Sequence, residues 1–364
     1  MEETENPLGE AIGDALDGVD FSGLENVFES IGDAFNFFGD GGFADKVSKI
    51  LSGEISASFP NILEGLLNLA FGFVLSFLPL ILLILGVAIL SNFIGSISSE
   101  RQTGTHKIIN FACLAVVITA VITALASLVS GASASVGLIK TICEFAFPIL
   151  LSFMAMIGAT TSVAVYQPAM AIFSNSILLL FEHILMPIFA ISLVFAIVSN
   201  LTDKTRLTKF SAFFASLFKW IVGITFTVFL AFVAIQGITA GHFDGISVRA
   251  TKLAMSSYVP ILGGYLSQGF DLIVGAGVLI KNSVGFALLL LIIITLITPI
   301  LKLIIFSLSL KLIASITEPF ADNKISNFIS AVERSVQMLI VVLIATCVML
   351  LILIGLVMTT GNII

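Results

Sequence analysis

Charge is what this sequence lacks. Only 11% of its 364 residues are Asp, Glu, Lys or Arg, less than half of the roughly 25% usual in soluble domains. So few ionic groups cannot cover a 38.6 kDa particle in water, because even large domains keep nearly all of them on the surface. The shortage excludes a soluble enzyme or binding domain. Cysteine is scarce as well: Cys113, Cys143 and Cys347 each lie in an apolar run, where they read as small buried side chains and not as a disulfide framework. His106, His183 and His242 are far apart, with no Cys or carboxylate at ligand spacing, so neither a metal nor another cofactor is expected. No Gly-x-x-x-x-Gly-Lys-Ser/Thr loop occurs, and Gly275-Ala276-Gly277 lacks the third glycine and the βαβ context of a dinucleotide site. Nothing points to catalysis or to nucleic-acid binding.

What is present is hydrocarbon. Apolar residues make up 58% of the chain and the mean hydropathy is +1.15, which predicts an all-α polytopic membrane protein. A spanning helix needs roughly 20 apolar residues, since each rises 1.5 Å through about 30 Å of hydrocarbon. Eight such segments are found, at about 69–96, 108–130, 141–165, 168–199, 217–240, 253–280, 282–315 and 335–360.

The net charge of −7 hides a division. Residues 1–64 carry 14 acidic and 2 basic side chains, a net of −12, whereas residues 65–364 carry 9 and 14, a net of +5. The chain thus divides into an acidic extracytoplasmic segment, 1–64, and a multi-pass membrane domain, 65–364. In the first, Leu24, Val27, Phe28, Ile31 and Phe35 recur at helical spacing opposite Glu25, Glu29 and Asp33, and Phe43, Val47, Ile50 and Leu51 do the same. Amphipathic helices resting on the membrane or a partner are expected there. Met1-Glu2-Glu3-Thr4-Glu5 is acidic where a signal peptide begins with basic residues, so no signal peptide is expected in the chain as written.

Lys and Arg favour cytoplasmic loops. Eight full spans would put the most basic loop, with Lys204, Arg206, Lys209 and Lys219, outside, while Arg101 and Lys107 lie inside. Treating 141–165 and 253–280 as re-entrant or broken helical hairpins removes the conflict, leaving about six transmembrane helices. Pro148, Pro260, Gly263, Gly264, Gly275 and Gly277 are the expected breaks in the hairpins. Lys140 precedes Pro148 as Lys252 precedes Pro260, and Pro187 and Pro299 share the same offset, so an internal repeat of 140–240 and 252–360 is a candidate.

Ionisable groups at membrane depth are costly and are functional candidates by default. Glu144, Glu182, His183, Asp271 and Lys302 are the expected lining of a polar translocation path, with Asp271 and Lys302 as a candidate pair. Pro187 frees backbone carbonyls near Glu182-His183, where a polar pocket is expected. Three blander readings stand beside these: Glu144 pairs with Lys140 on its own helix, Lys302 snorkels to the interface, and Asp271 lies at the interfacial rim of a hairpin. Lys204, Arg206 and Lys209 form a candidate cytosolic docking loop.

Several stretches resemble the stage III sporulation protein AE family of endospore-forming Bacillota. They are Ser48-Lys49-Ile50-Leu51-Ser52-Gly53-Glu54-Ile55; Ile197-Val198-Ser199-Asn200-Leu201-Thr202-Asp203; Ala234-Ile235-Gln236-Gly237; Arg249-Ala250-Thr251-Lys252 followed by Tyr258-Val259-Pro260-Ile261-Leu262-Gly263-Gly264-Tyr265-Leu266-Ser267; and Lys281-Asn282-Ser283-Val284-Gly285. The resemblance covers roughly 45–364 and implies a non-enzymatic subunit of the channel complex between mother cell and forespore. It further implies the mother-cell membrane as location, with ring-forming sporulation proteins and a cytosolic secretion-type ATPase as partners. Members similar to this chain carry a cleaved signal sequence, so the chain is read as a mature or shortened form. The alternative functions are a self-sufficient secondary transporter for a small solute and a scaffold that conducts nothing.

Overall fold

The computed structural model describes residues 20–31, 47, 50, 59–97, 103–201, 208–258, 263–318 and 323–360. These residues are almost wholly helical, without a strand among them. Helix α1 spans Ser22–Ile31, α2 Phe59–Ile97, α3 Thr103–Met156 and α4 Thr160–Leu179; a π-helical turn, Leu180–Leu185, leads into α5, Met186–Leu201. Then follow α6, Thr208–Tyr258, α7, Gly263–Thr317, and α8, Asn323–Thr359. Treating α4, the π turn and α5 as one continuous element, six helices among the described residues are long and apolar enough to cross a membrane. The protein is an all-α multi-pass membrane protein.

Two central helices hold the bundle together. α7 packs against α8, α3, α2 and α6, and α8 packs also against α5 and α6. Along α7, Ile280, Val284, Leu288 and Leu291 are fully buried at spacings of three and four, the period that keeps one face of a helix inward. The acidic segment contributes α1, whose Leu24 and Val27 are buried on α3. Gly23 lies flat against the Phe145 ring, where a Cβ would come within 2.4 Å. Asp20 caps this helix, its Oδ1 accepting the Ser22 N–H at 2.9 Å. Hydrogen bonds from the Ser22 side chain and backbone hold the Asp20 carboxyl below its usual range. Of the other expected amphipathic stretch, Val47 is buried and Ile50 packs on the core; Phe43 and Leu51, like Phe35 of the first stretch, lie outside the described residues.

Tertiary contacts establish which helix ends share a side. Ile157-Gly158-Ala159 turns the chain from α3 into α4, with Gly158 at φ 84°, a conformation that glycine adopts without penalty. Ile157 rests on Gly277 of α7, where a Cβ would meet its Cγ2 at 2.5 Å, and Lys281 of α7 reaches Thr360 just past α8. These ends form the turn side. On the opposite side Ser307 Oγ donates to Glu333 Oε1 at 3.0 Å, and Ser192 and Ser211 exchange hydroxyl-to-carbonyl bonds at 3.2–3.3 Å. Phe73 beside Lys302 and Phe77 against Phe306, the latter at 5.2 Å between ring centroids, run α2 parallel to α7, so the later part of α2 heads to this side as well. The helix ends that flank 98–102, 202–207 and 319–322 therefore share one side, and the sequence between them contains Arg101, Lys204 and Arg206. Cysteines introduced at Thr205 and Asp322 are expected to react with an impermeant thiol reagent from the same face, and one at Asn362 from the opposite face; labelling of intact and inverted vesicles checks this.

The eight apolar runs are thus carried by six long helices, and the two expected hairpins are not separate elements. Pro148 is not a break: it lies inside α3, a helix of 54 residues. A proline there costs the Glu144 carbonyl its helical donor, but burial of Phe147 and Leu150 on both flanks keeps the helix running. The reversal comes ten residues later, at Gly158. Gly275 and Gly277 are interior to α7, and Gly263 and Gly264 are its first residues. Gly277 serves close approach to Ile157 rather than a turn. Pro260 lies between Tyr258 and Gly263, outside the described residues. The proline landmarks of the candidate repeat occupy unlike settings, since Pro187 follows a π-helical turn and Pro299 lies within continuous helix.

Candidate functional site

A cavity of about 290 Å³ opens between α3 and α7. Ser127, Gly131 and Ser135 supply one wall, and Thr295, Thr298, Pro299 and Lys302 the other. Small residues at spacing four on α3 present little side-chain volume toward α7 and leave the space unfilled. Pro299 has no N–H, so the Thr295 carbonyl four residues before it lacks its helical donor. The cavity therefore combines hydroxyls, a released carbonyl and one cation. Lys302 Nζ stands 5.9 Å from the centroid of the Phe73 ring on α2, within cation–π range. The Ser307–Glu333 bond marks the polar edge of the bundle on the basic side, and Lys302 lies five residues, about 7 Å, inward of Ser307.

A second polar layer lies near the turn side. Lys281 is fully buried, and its Nζ donates to the Thr360 carbonyl. The Thr360 hydroxyl donates to Leu356 O at 2.8 Å and lies 3.1 Å from the Tyr166 hydroxyl, itself fully buried. Beside Lys281, the buried Asn282 Oδ1 has no hydrogen-bond partner among the described residues, and neither does Gln236 Oε1 of α6. Lys281 and Lys302 are 21 residues apart on one helix, about 32 Å at 1.5 Å per residue, which is close to the hydrocarbon thickness. Val284, Leu288, Leu291 and Ile292, all fully buried, fill the interval. Two polar layers are thus separated by an apolar plug.

The remaining expected site residues are not brought together. Asp271 is exposed and precedes Lys302 by 31 residues on the same unbroken α7, about 46 Å along the axis, so the two do not pair. Glu144 forms an ion pair with Lys140 at 3.6 Å on one exposed face. Glu182 and His183 fall in the π-helical turn just before Pro187 with exposed side chains. The space beside them is a void of about 20 Å³ lined mainly by apolar groups, among them Ile177, Phe181 and Leu185. Lys209 is exposed near the start of α6; the side chains of Lys204 and Arg206 lie outside the described residues.

Gln236, Lys281 and Asn282 all come from the short stretches that carried the family resemblance. The comparison with protein families agrees: the sequence model described as stage III sporulation protein AE matches residues 42–361. The chain belongs to the stage III sporulation protein AE family. Membership supports a role in sporulation. Among curated proteins it is similar to "Stage III sporulation protein AE" of Bacillus subtilis (strain 168), with 26% identity over 215 residues, 59% of this chain and 54% of the relative. The match thus spans about half the length of that relative. No solved structure matches the chain. For this member of the stage III sporulation protein AE family, sequence reading missed the Lys281 layer because apolar runs long enough to stand alone flank Lys281 on both sides. Its one signal was the polar triplet Lys281-Asn282-Ser283.

Proposed function

We propose that this chain is a non-enzymatic membrane subunit of the channel or secretion-like complex between mother cell and forespore, forming or supporting its translocation path. The observation that carries the reading is the pair of polar layers on α7, at Lys281 and Lys302, with an apolar plug between them. A path closed in the isolated chain suits a subunit that works within an assembly. Buried acceptors such as Gln236 Oε1 and Asn282 Oδ1 are normally satisfied by water or a bound donor, which suits a polar route through the turn side. The positive-inside rule puts the 98–102, 202–207 and 319–322 connections in the mother-cell cytosol. There Lys204, Arg206 and Lys209 would meet a secretion-type ATPase. Residues 1–64 and the turn side would face the intermembrane space and ring-forming sporulation proteins.

One feature favours a second reading, a self-sufficient secondary transporter. The Lys302 cavity is large enough for a small solute and opens between helices, as transporter sites do. Reconstitution separates the two. The purified chain in liposomes is expected to pass no small anions or amino acids, and to co-purify with ring proteins when isolated from sporulating cells. Solute flux through the chain alone, lost on Lys302→Met, would instead establish the transporter and sink the subunit reading.

A further inference from the structure

Glu182 and His183 pose a problem that the translocation path does not solve. The void beside Phe181 and Leu185 is also lined by Val342, Ala345, Thr346 and Met349, which places the π-helical turn level with the middle of α8. On α8 the apolar run extends from Ser335 to Met358, between Arg334 and Thr359. Its centre is about 12 residues, or 18 Å, from Arg334. Glu182 and His183 therefore sit near mid-membrane, and both side chains are exposed. Lys219 is exposed at a similar depth on α6, but its four-methylene stem can carry the ammonium toward the interface. A glutamate and an imidazole have no such reach.

They also have company. Asn175 and Gln167 are exposed on the same helical element, seven and fifteen residues before Glu182, about two and four turns that place them on one face. Exposed Ile172, Leu179 and Val194 complete the stripe. A stripe of amides, a carboxylate and an imidazole facing lipid is among the costliest arrangements a membrane helix can present; covering it with protein removes the cost.

We propose that a second copy of this chain covers the stripe, with Glu182 of each copy pairing with His183 of the other. The reason is the order of the groups along the membrane normal. Copies inserted by the same route share one orientation, so a closed pair is related by a two-fold axis along that normal and joins residues of equal depth. Such an interface must complement itself at every level. Here it does: the acid and the imidazole are adjacent in sequence and nearly equal in depth. Asn175 would meet Asn175, an amide that both donates and accepts, and the apolar residues between them would meet each other. A different protein would need no such internal match. The π-helical turn, a feature common at functional sites, re-aims both side chains outward just ahead of Pro187.

The test uses the full chain, purified, with its three cysteines replaced, in lipid vesicles that contain no other protein. Leu179→Cys is expected to form a disulfide-linked dimer several-fold more readily than Val228→Cys, a control on the exposed face of α6. Glu182→Lys should reduce that yield to the control level, and the exchange Glu182→His with His183→Glu should restore it. Glu182→Gln, which keeps the shape, should lower the yield in part and serves if the lysine variant fails to insert. A Leu179→Cys yield equal to the control would overturn the proposal. So would a yield indifferent to both Glu182 variants, since the copies would then meet without the polar pair.

Discussion

Replacing Lys281 with alanine is expected to cost this protein about 3–5 kcal/mol of stability, the range for emptying a large buried side chain. Lys281 is fully buried at the crossing of α7 with the end of α8. The truncation removes a packed four-carbon stem and also takes the donor from the Thr360 carbonyl; a buried acceptor left unpaired costs about 1–3 kcal/mol. The layer is shared, since Tyr166 from α4 lies 3.1 Å from the Thr360 hydroxyl, so the loss should loosen three helices together. Lys281→Met separates the two contributions. It keeps the stem's volume and removes the buried charge, so its cost should be no more than about 1–2 kcal/mol, because an ammonium freed from burial offsets part of the lost hydrogen bond. Denaturant or thermal unfolding of the detergent-solubilised variants measures both. A methionine variant as unstable as the alanine variant would show that the ammonium's hydrogen bonds, not the stem, hold the crossing.

Reversing the charge at Lys302 is expected to leave the fold intact and to damage function. The side chain lines the 290 Å³ cavity beside Ser127, Ser135 and Thr298, with the Phe73 ring 5.9 Å away. Lys302→Glu replaces the cation there with an anion and loses the contact with the ring. If the cation contributes about 2.7 kcal/mol to passage or to docking of a partner, sporulation efficiency should fall on the order of 100-fold. Lys302→Arg keeps charge and ring contact and should remain close to the parent. The measurement is heat-resistant spore counts, with immunoblots showing equal amounts of protein in the membrane. Undiminished sporulation by the glutamate variant would reduce the cavity to a packing gap and Lys302 to a snorkelling residue.

The contrast between these lysines shows how far the sequence reaches. Lys302 was legible because it follows Pro299 inside a long apolar run, and both features survive unchanged in the folded chain. Lys281 was not. Runs 253–280 and 282–315 each satisfy the length of a spanning segment, so a charge between them reads as a boundary, and only the unbroken course of α7 turns the boundary into an interior. Pro148 erred in the opposite direction. A proline is a local helix breaker, but the penalty of one missing hydrogen bond is outweighed when its neighbours Phe147 and Leu150 are buried against other helices. Asp271 and Lys302 illustrate a third limit: residue type suggests a pair, but a shared helix keeps the two about 46 Å apart.

By itself, the sequence determined that this is a helical membrane protein, that six segments suffice to account for it, and which connections carry the basic residues. Those conclusions rest on local quantities: hydropathy summed over a helix length, and charges that cannot enter hydrocarbon. The stretches that mark the family were local too. The tertiary structure alone decided which polar groups at membrane depth face inward and which face out. It buried Lys281, opened a cavity at Lys302, separated the two with Val284, Leu288, Leu291 and Ile292, and left Glu182 and His183 on the outside. A side chain's surroundings in a bundle depend on the rotation and register of helices distant in sequence, and apolar composition all round a helix leaves that rotation unspecified.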